Sequence, residues 1–151
     1  MITQKITPFL WYQKDALAIG RYYQSVFGSQ NVEIVGEDQF SDTPSGTVEV
    51  MTLKIFGTEF RIMTAGEYEP FNGAISFEVT CADQNEIDTY WNVLTKEGRE
   101  MQCGWCADKY GVRWQIVPEN MGQYISTKAG MEAMLTMKKL VIKDLKKAAG
   151  V

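Results

Sequence analysis

One stretch of the chain is written twice, and this constrains the fold more than any other feature. Tyr110-Gly111-Val112-Arg113-Trp114-Gln115-Ile116-Val117 lines up with Phe56-Gly57-Thr58-Glu59-Phe60-Arg61-Ile62-Met63. Each copy is an aromatic-Gly pair suited to a turn, then an alternating run with an aromatic and an isoleucine on one face. That is the pattern of a half-buried strand.

What precedes each copy also repeats. A strand is expected over Lys5–Tyr12, with Leu10 and Tyr12 on one face and Thr7, Phe9 and Trp11 on the other. Asp15 is placed to cap a helix over Ala16–Phe27, whose apolar stripe is Leu17, Ile19, Tyr22, Tyr23, Val26 and Phe27. Gly28 is placed to end it. A short strand over Val32–Gly36 and an acidic, turn-rich segment, Glu37–Gly46, lead to a hairpin of Thr47–Ile55 and Glu59–Thr64.

After a linker, Ala65–Gly73, the order restarts. Ala74–Thr80 reads as a strand with Ile75, Phe77 and Val79 on one face. Asp83 caps a helix over Gln84–Glu97 with Ile87, Tyr90, Trp91 and Leu94 as its stripe, and Gly98 stops it. Strands are expected over Met101–Cys106 and Gly111–Val117, so the third strand after this helix is very short or lost.

The fold class is therefore α+β: two βαβββ modules forming a curved mixed sheet with helices on its convex side, plus C-terminal helices. The modules are residues 1–64 and 74–118, joined by a linker at 65–73. A helical tail, 119–151, places Met131, Met134 and Met137 at helical spacing for packing. One such module is too small to bury its own apolar face, so two must pair.

Composition narrows the function. The 151 residues are 45% apolar, enough for a real core, and carry a net charge of −4, which argues against a nucleic-acid partner. The charge is uneven. Nine basic against seventeen acidic residues give −8 through Glu119, and six against two give +4 from Asn120 onward. The lysines at 138, 139, 143, 146 and 147 read as the wet face of the terminal helices. No apolar run approaches the roughly 18 residues of a membrane span, and the first residues lack a signal-peptide layout. Three cysteines, an odd number, fit a reducing compartment, so a cytoplasmic protein is expected.

The doubled βαβββ pattern resembles the vicinal oxygen chelate superfamily, which includes glyoxalase I and extradiol dioxygenases, and within it the PhnB-like group. The resemblance is carried by Ile6-Thr7-Pro8-Phe9-Leu10-Trp11-Tyr12, by Tyr22-Tyr23 with Phe27-Gly28, and by Phe71-Asn72-Gly73-Ala74-Ile75-Ser76-Phe77. Tyr90-Trp91, Cys103-Gly104-Trp105, Tyr110–Pro118 and the tail segment Ala133–Lys139 complete it. Members of the group are often labelled demethylubiquinone methyltransferases. This chain contains no Gly-x-Gly, so the glycine-rich turn that usually cradles a nucleoside cofactor is missing, and methyltransferase activity is not expected.

The resemblance also implies where a metal would sit, since metal-dependent members take ligands, mostly His and Glu, from the first and last strand of each module. By spacing these places fall near Thr7 and Ala74, and on Arg61 and Gln115. None is a good ligand, Arg61 would repel a divalent cation, and the chain has no histidine. No metal, no other cofactor, and no metal-dependent glyoxalase or dioxygenase activity are expected. Glu59 and Glu78 would hold Mg²⁺ only weakly.

If Phe60, Ile62, Trp114, Ile116, Leu10, Phe77 and Val79 face the helices, their neighbours face the concave side. The candidate ligand-binding residues are Trp11, Glu59, Arg61, Ser76, Glu78, Arg113 and Gln115, with Met63 and Val117 beside them. An aromatic wall with two guanidiniums and two carboxylates suits a small polar or anionic ligand. Glu78 is the candidate catalytic residue, a proton acceptor if buried. The alternative is that these charges pair with one another or seal a dimer interface.

Cys103-Gly104-Trp105-Cys106 has the spacing of a redox motif but lies on a strand, with one thiol on each face, a poor disulfide geometry. The expected function is a metal-independent small-molecule-binding protein, forming a homodimer as is common in the superfamily. The alternatives are a metal-free isomerase or lyase acting on a small anionic metabolite, and a structural dimer with a filled cavity.

Overall fold

The computed structural model describes residues 4–66 and 69–151; Glu67 and Tyr68 of the expected linker lie outside the described residues. The chain divides into two compact units, residues 1–70 and 71–151. The first holds β1 (Phe9–Tyr12), α1 (Ala16–Phe27), β2 (Val32–Thr43), β3 (Gly46–Ile55) and β4 (Thr58–Thr64). The second holds β5 (Phe77–Cys81), α2 (Gln84–Lys96), β6 (Arg99–Glu100), β7 (Trp105–Ala107) and β8 (Arg113–Pro118), then α3 (Met121–Tyr124), α4 (Lys128–Thr136) and α5 (Ile142–Ala149). The sheet orders are β1-β4-β3-β2 and β5-β8-β7-β6. In each, the first strand runs parallel to the last and the remaining pairs are antiparallel. Two βαβββ modules in mixed sheets are thus present.

Caps and stripes explain why the helices form where they do. Asp15 accepts a hydrogen bond from the Ala18 amide at 3.0 Å, and Asp83 from the Glu86 amide at 2.9 Å. Glu86 reaches back to accept from the amide of Ala82, the residue before the cap, at 2.8 Å. Ile19, Tyr23, Val26 and Phe27 of α1 are buried against Met51, Leu53 and Ile62; Ile87, Trp91 and Leu94 of α2 are buried with Trp114 and Ile116. Burying each such side chain contributes about 1.5–3 kcal/mol. Leu17, expected in the α1 stripe, is instead exposed, because it points to the side of the arc formed by Ala16, Ile19, Tyr23 and Phe27.

Several boundaries differ from the expectation. β1 begins at Phe9 rather than Lys5, and β5 at Phe77 rather than Ala74, which leaves Ile75 70% exposed. β2 continues through the acidic segment to Thr43, pairing Glu37 with Met51, Asp38 with Val50 and Phe40 with Val48. Its side chains from Val35 to Asp42 are exposed, so no buried alternation marks it; the ladder with β3 holds it, with register shifts between Ile34 and Gly36 and between Phe40 and Thr43. The expected strand over Met101–Cys106 is broken. Cys103 and Gly104 both adopt positive φ, and the Met101 amide donates to the Trp105 carbonyl across the turn. The third strand after α2 is present but short, the two residues of β6.

The tail closes over part of the second sheet. Val117, on the face of β8 away from Ile116, is buried with Tyr124, Leu140 and Leu145, and Met121, Met134, Met137 and Ile142 pack against this cluster. The expected packing role of Met134 and Met137 is seen directly; Met131 is exposed. Lys138 and Lys139 are not on a helix. They belong to an extended connection that the Cys103 and Gly104 amides hold by donating to the Met137 and Lys138 carbonyls. Gly104 has φ +81°, and a Cβ there would come within 3.0 Å of the Ile116 carbonyl oxygen and 2.9 Å of Leu140 Cδ1, so a side chain would be strained. Gln84 fixes the same connection, donating to the Leu140 carbonyl and accepting from the Ile142 amide.

Candidate functional site

The alternation of β4 and β8 decides which side chains can meet a ligand. Phe60, Ile62, Trp114 and Ile116 are buried on the helix side. Their neighbours Glu59, Arg61, Met63, Arg113 and Gln115 lie on the opposite, open face of their own sheet, half-buried except for the exposed Arg61. Val117 shares that face but is covered by the tail, so it is withdrawn from the candidate lining.

In the first unit, register sets Phe9 beside Arg61 and Trp11 beside Met63. Phe9 is 52% exposed, and the Trp11 indole donates to the Gly66 carbonyl at 3.0 Å, which fixes the ring at the sheet edge. Gln4 extends the ladder: its amide both donates to the Glu59 carbonyl and accepts from the Glu59 amide. Behind the sheet, Glu49 accepts from Thr64 Oγ1 at 2.6 Å and the Ala16 amide at 2.9 Å, tying the start of α1 to the strands.

In the second unit, Glu78 is the register partner of Gln115 and Trp105 pairs with Gln115 from the other side. Gln115 Nε2 donates to Ser76 Oγ at 2.8 Å. Arg113 is anchored by its own turn, Nη1 donating to the Gly111 carbonyl. Its Nε is buried and has no hydrogen-bond partner. Such an orphaned donor costs about 1–3 kcal/mol. Arg99, on β6, lies in register with Ala107, which lies in register with Arg113, so the two arginines share the open face on either side of a small residue.

The turn that presents Arg113 is built around Asp108, a buried carboxylate. Its Oδ1 accepts from the Tyr110 amide at 2.9 Å and the Val112 amide at 3.1 Å, and its Oδ2 from the Trp114 indole at 2.9 Å. Sequence reading missed this residue. The acidic residue three positions before the turn glycine was its signal. Arg99 and Trp105 were missed as lining because the strands carrying them are too short to show alternation.

The candidate residues thus stand as two sets, each on its own sheet: Trp11, Glu59 and Arg61 in one, Ser76, Glu78, Arg113 and Gln115 in the other. Among the described residues the ion pairs are Lys109–Glu97, Lys128–Glu132, Lys138–Glu100 and Lys139–Asp88; none uses a charge from these sets. Glu78 is exposed and so lacks the burial on which its reading as a proton acceptor depended.

The cysteines lie apart from this face. Cys103 sits in the positive-φ turn, while Cys81 and Cys106 are fully buried on the helix side, and all three are free. Burial, with smaller contributions from Glu86 and Asp83, pushes the Cys81 thiol up to about 12. Burial, then Asp108 and Glu100, does the same for Cys106.

Register also corrects the positions at which a metal would be sought. Phe9 pairs with Arg61 and Glu78 with Gln115, so the residue equivalent to Thr7 is Ser76 rather than Ala74. Two hydroxyls, a guanidinium and a carboxamide are a poor donor set for a divalent cation. No group of three or more His, Cys, Asp or Glu among the described residues is arranged to hold one.

Residues 4–117 match the family model of 3-demethylubiquinone-9 3-methyltransferase. The chain belongs to that family. No curated protein matches it. Among solved structures it is similar to a putative 3-demethylubiquinone-9 3-methyltransferase, the PhnB protein from Bacillus cereus, with 29% identity and a TM-score of 0.65 over 76% of this chain and 99% of that one. It is also similar to a mutant of the fosfomycin resistance protein FosX from Listeria monocytogenes, complexed with Mn(II) and 1S,2S-dihydroxypropylphosphonic acid. There the identity is 16% and the TM-score 0.53, over 77% of this chain and 92% of that one. FosX from Mesorhizobium loti gives 17% and 0.54, over 77% and 91%. These neighbours establish the vicinal oxygen chelate fold for this chain.

Proposed function

We propose that the protein binds a small metabolite on the open faces of its sheets without a metal ion, and does so as a homodimer in the reducing cytoplasm. The observation that carries the reading is the make-up of those faces. The positions that hold metal ligands in metal-dependent relatives are Thr7, Ser76, Arg61 and Gln115 here, while Arg61 and Arg113 form no ion pair with a carboxylate of the described residues. Half-buried polar side chains next to Trp11 and Trp105 offer orientation and apolar contact together, as small-molecule sites do. Three free thiols fit a reducing compartment. Methyl transfer, which the family description names, finds no support in a chain without a Gly-x-Gly turn.

A thermal-shift screen of soluble metabolites in the presence of EDTA tests the proposal. At least one compound is expected to raise the melting temperature, with the shift undiminished by chelator and reduced in Gln115→Ala. Stabilisation that appears only with added Mn(II), or no stabilisation by any compound, would refute it. Light scattering at the mass of a single chain would refute the dimer.

A further inference from the structure

We propose that the outer edge of β2 in one copy of the chain is the docking surface for helix α5 of a second copy, a contact made twice in the homodimer. This rests on the homodimer proposed above and names the residues that hold it together. The starting point is a strand with nothing on its outer side. β2 ends the sheet order of the first unit and pairs with β3 alone. From Glu33 to Asp42 its backbone makes no hydrogen bond to a described residue outside that ladder. A long open edge of this kind is a template for another chain.

The side chains of β2 select what can settle there. Its twelve residues include Glu33, Glu37, Asp38 and Asp42, and no lysine or arginine. All four carboxylates are exposed, and so are Val35 and Phe40, at 48% and 52%. Pairing with the β2 edge of another copy would set acid against acid, the usual guard against self-pairing. A fitting occupant is therefore basic, with apolar stems to cover Phe40.

The chain carries that occupant itself. Lys143, Lys146 and Lys147 stand at i, i+3 and i+4 on α5 and are all exposed, while Leu145, on the far side of the helix, is buried in the tail cluster. Lys138 and Lys139 are already paired with Glu100 and Asp88. No ion pair among the described residues uses the three α5 lysines or any carboxylate of β2. An ammonium brings three donors, enough for a carboxylate and an outward backbone carbonyl together. Its stem can lie along Phe40 with the charge over the ring. A two-fold dimer needs a surface and its complement on every copy. This chain has both, with −8 through Glu119 and +4 from Asn120 onward, and its net charge of −4 turns polyanions away.

The test measures the mass of the full chain by light scattering and sedimentation, with circular dichroism to show that each variant is folded. Two double variants reverse one surface each: Lys143→Glu with Lys146→Glu, and Glu37→Lys with Asp38→Lys. Each is expected to weaken the dimer by about tenfold or more, since attraction becomes like-charge repulsion. Mixed in equal amounts, the two variants should recover the mass of a dimer, because every acidic surface again meets a basic one. Raising salt from about 0.1 M to about 1 M, which cuts the screening length from about 10 Å to about 3 Å, should weaken the wild-type dimer as well.

Variants that dimerise like wild type, or a mixture that stays monomeric, would overturn this docking surface. In the first case the dimer stands and is held elsewhere. A wild-type chain that is monomeric at every salt concentration would instead remove the dimer itself, so the two failures are told apart.

Discussion

The two units share a topology and finish it differently. In the first, the last hairpin turns on Phe56-Gly57, both at positive φ, with Phe56 half-exposed and no side chain binding the turn amides among the hydrogen bonds described. In the second, the equivalent turn is wrapped around buried Asp108, which gathers two amides and an indole. The first sheet spends its length on a twelve-residue exposed strand, β2. The second shortens β6 and β7 to two and three residues and receives a helical tail instead. The lesson is that alternation puts both Arg61 and Arg113 on the face away from the helices, though Arg113 stands at the place of Glu59, and only the second unit adds a turn that pins its arginine. Arg61 is exposed, whereas Arg113 is half-buried with one nitrogen anchored and one orphaned.

The sharpest way to break this contrast is Asp108→Ala. It strips acceptors from two amides and the Trp114 indole, and is expected to cost about 3 kcal/mol in urea unfolding followed by circular dichroism. A loss under about 1 kcal/mol would mean that the turn does not depend on the carboxylate. The two buried thiols add a pH effect, which grows with every unit above pH 9. Cys81 and Cys106 stay protonated in the folded chain up to about 12 but ionise near 9.0 when unfolded, so the unfolded state binds fewer protons in that window. Stability is therefore complete below about pH 9 and falls as pH rises toward 12, by about 1.4 kcal/mol per pH unit for each thiol. Comparing the slope in wild type with that in Cys106→Ala measures one thiol's share, and identical slopes would contradict it.

Gln84→Ala should release the tail, at about 1–2 kcal/mol, because the side chain serves the Leu140 carbonyl and the Ile142 amide. Hydrogen exchange at Ile142 is expected to quicken while the amides of β3 and β4 keep their rates. Gly57→Ala is the mildest, about 1 kcal/mol, since φ is +79° and nothing lies within 4 Å of an added Cβ, so backbone strain is the whole penalty.

How much of this was legible in the chain follows from what is local. Both helix caps, the α2 stripe and the face assignment of β4 and β8 depend on residues within a few positions of one another, and these were read correctly. The reach of β2 was not legible, because a strand exposed on both faces has no alternation and takes its shape from β3. Nor was the turn at Cys103-Gly104, which exists because the connection near Leu140 comes back to hydrogen-bond there. The covering of Val117 has the same distant cause. Asp108 lay in view in the sequence, but its three partners become visible only when the turn closes.

The central claim is that the positions carrying metal ligands in metal-dependent relatives hold a metal-free binding face here. Elemental analysis of protein purified without chelators tests it most directly. The account predicts well under one divalent metal per chain and a melting temperature unmoved by EDTA. One tightly held divalent ion per chain, whose removal lowers the melting temperature, would contradict it.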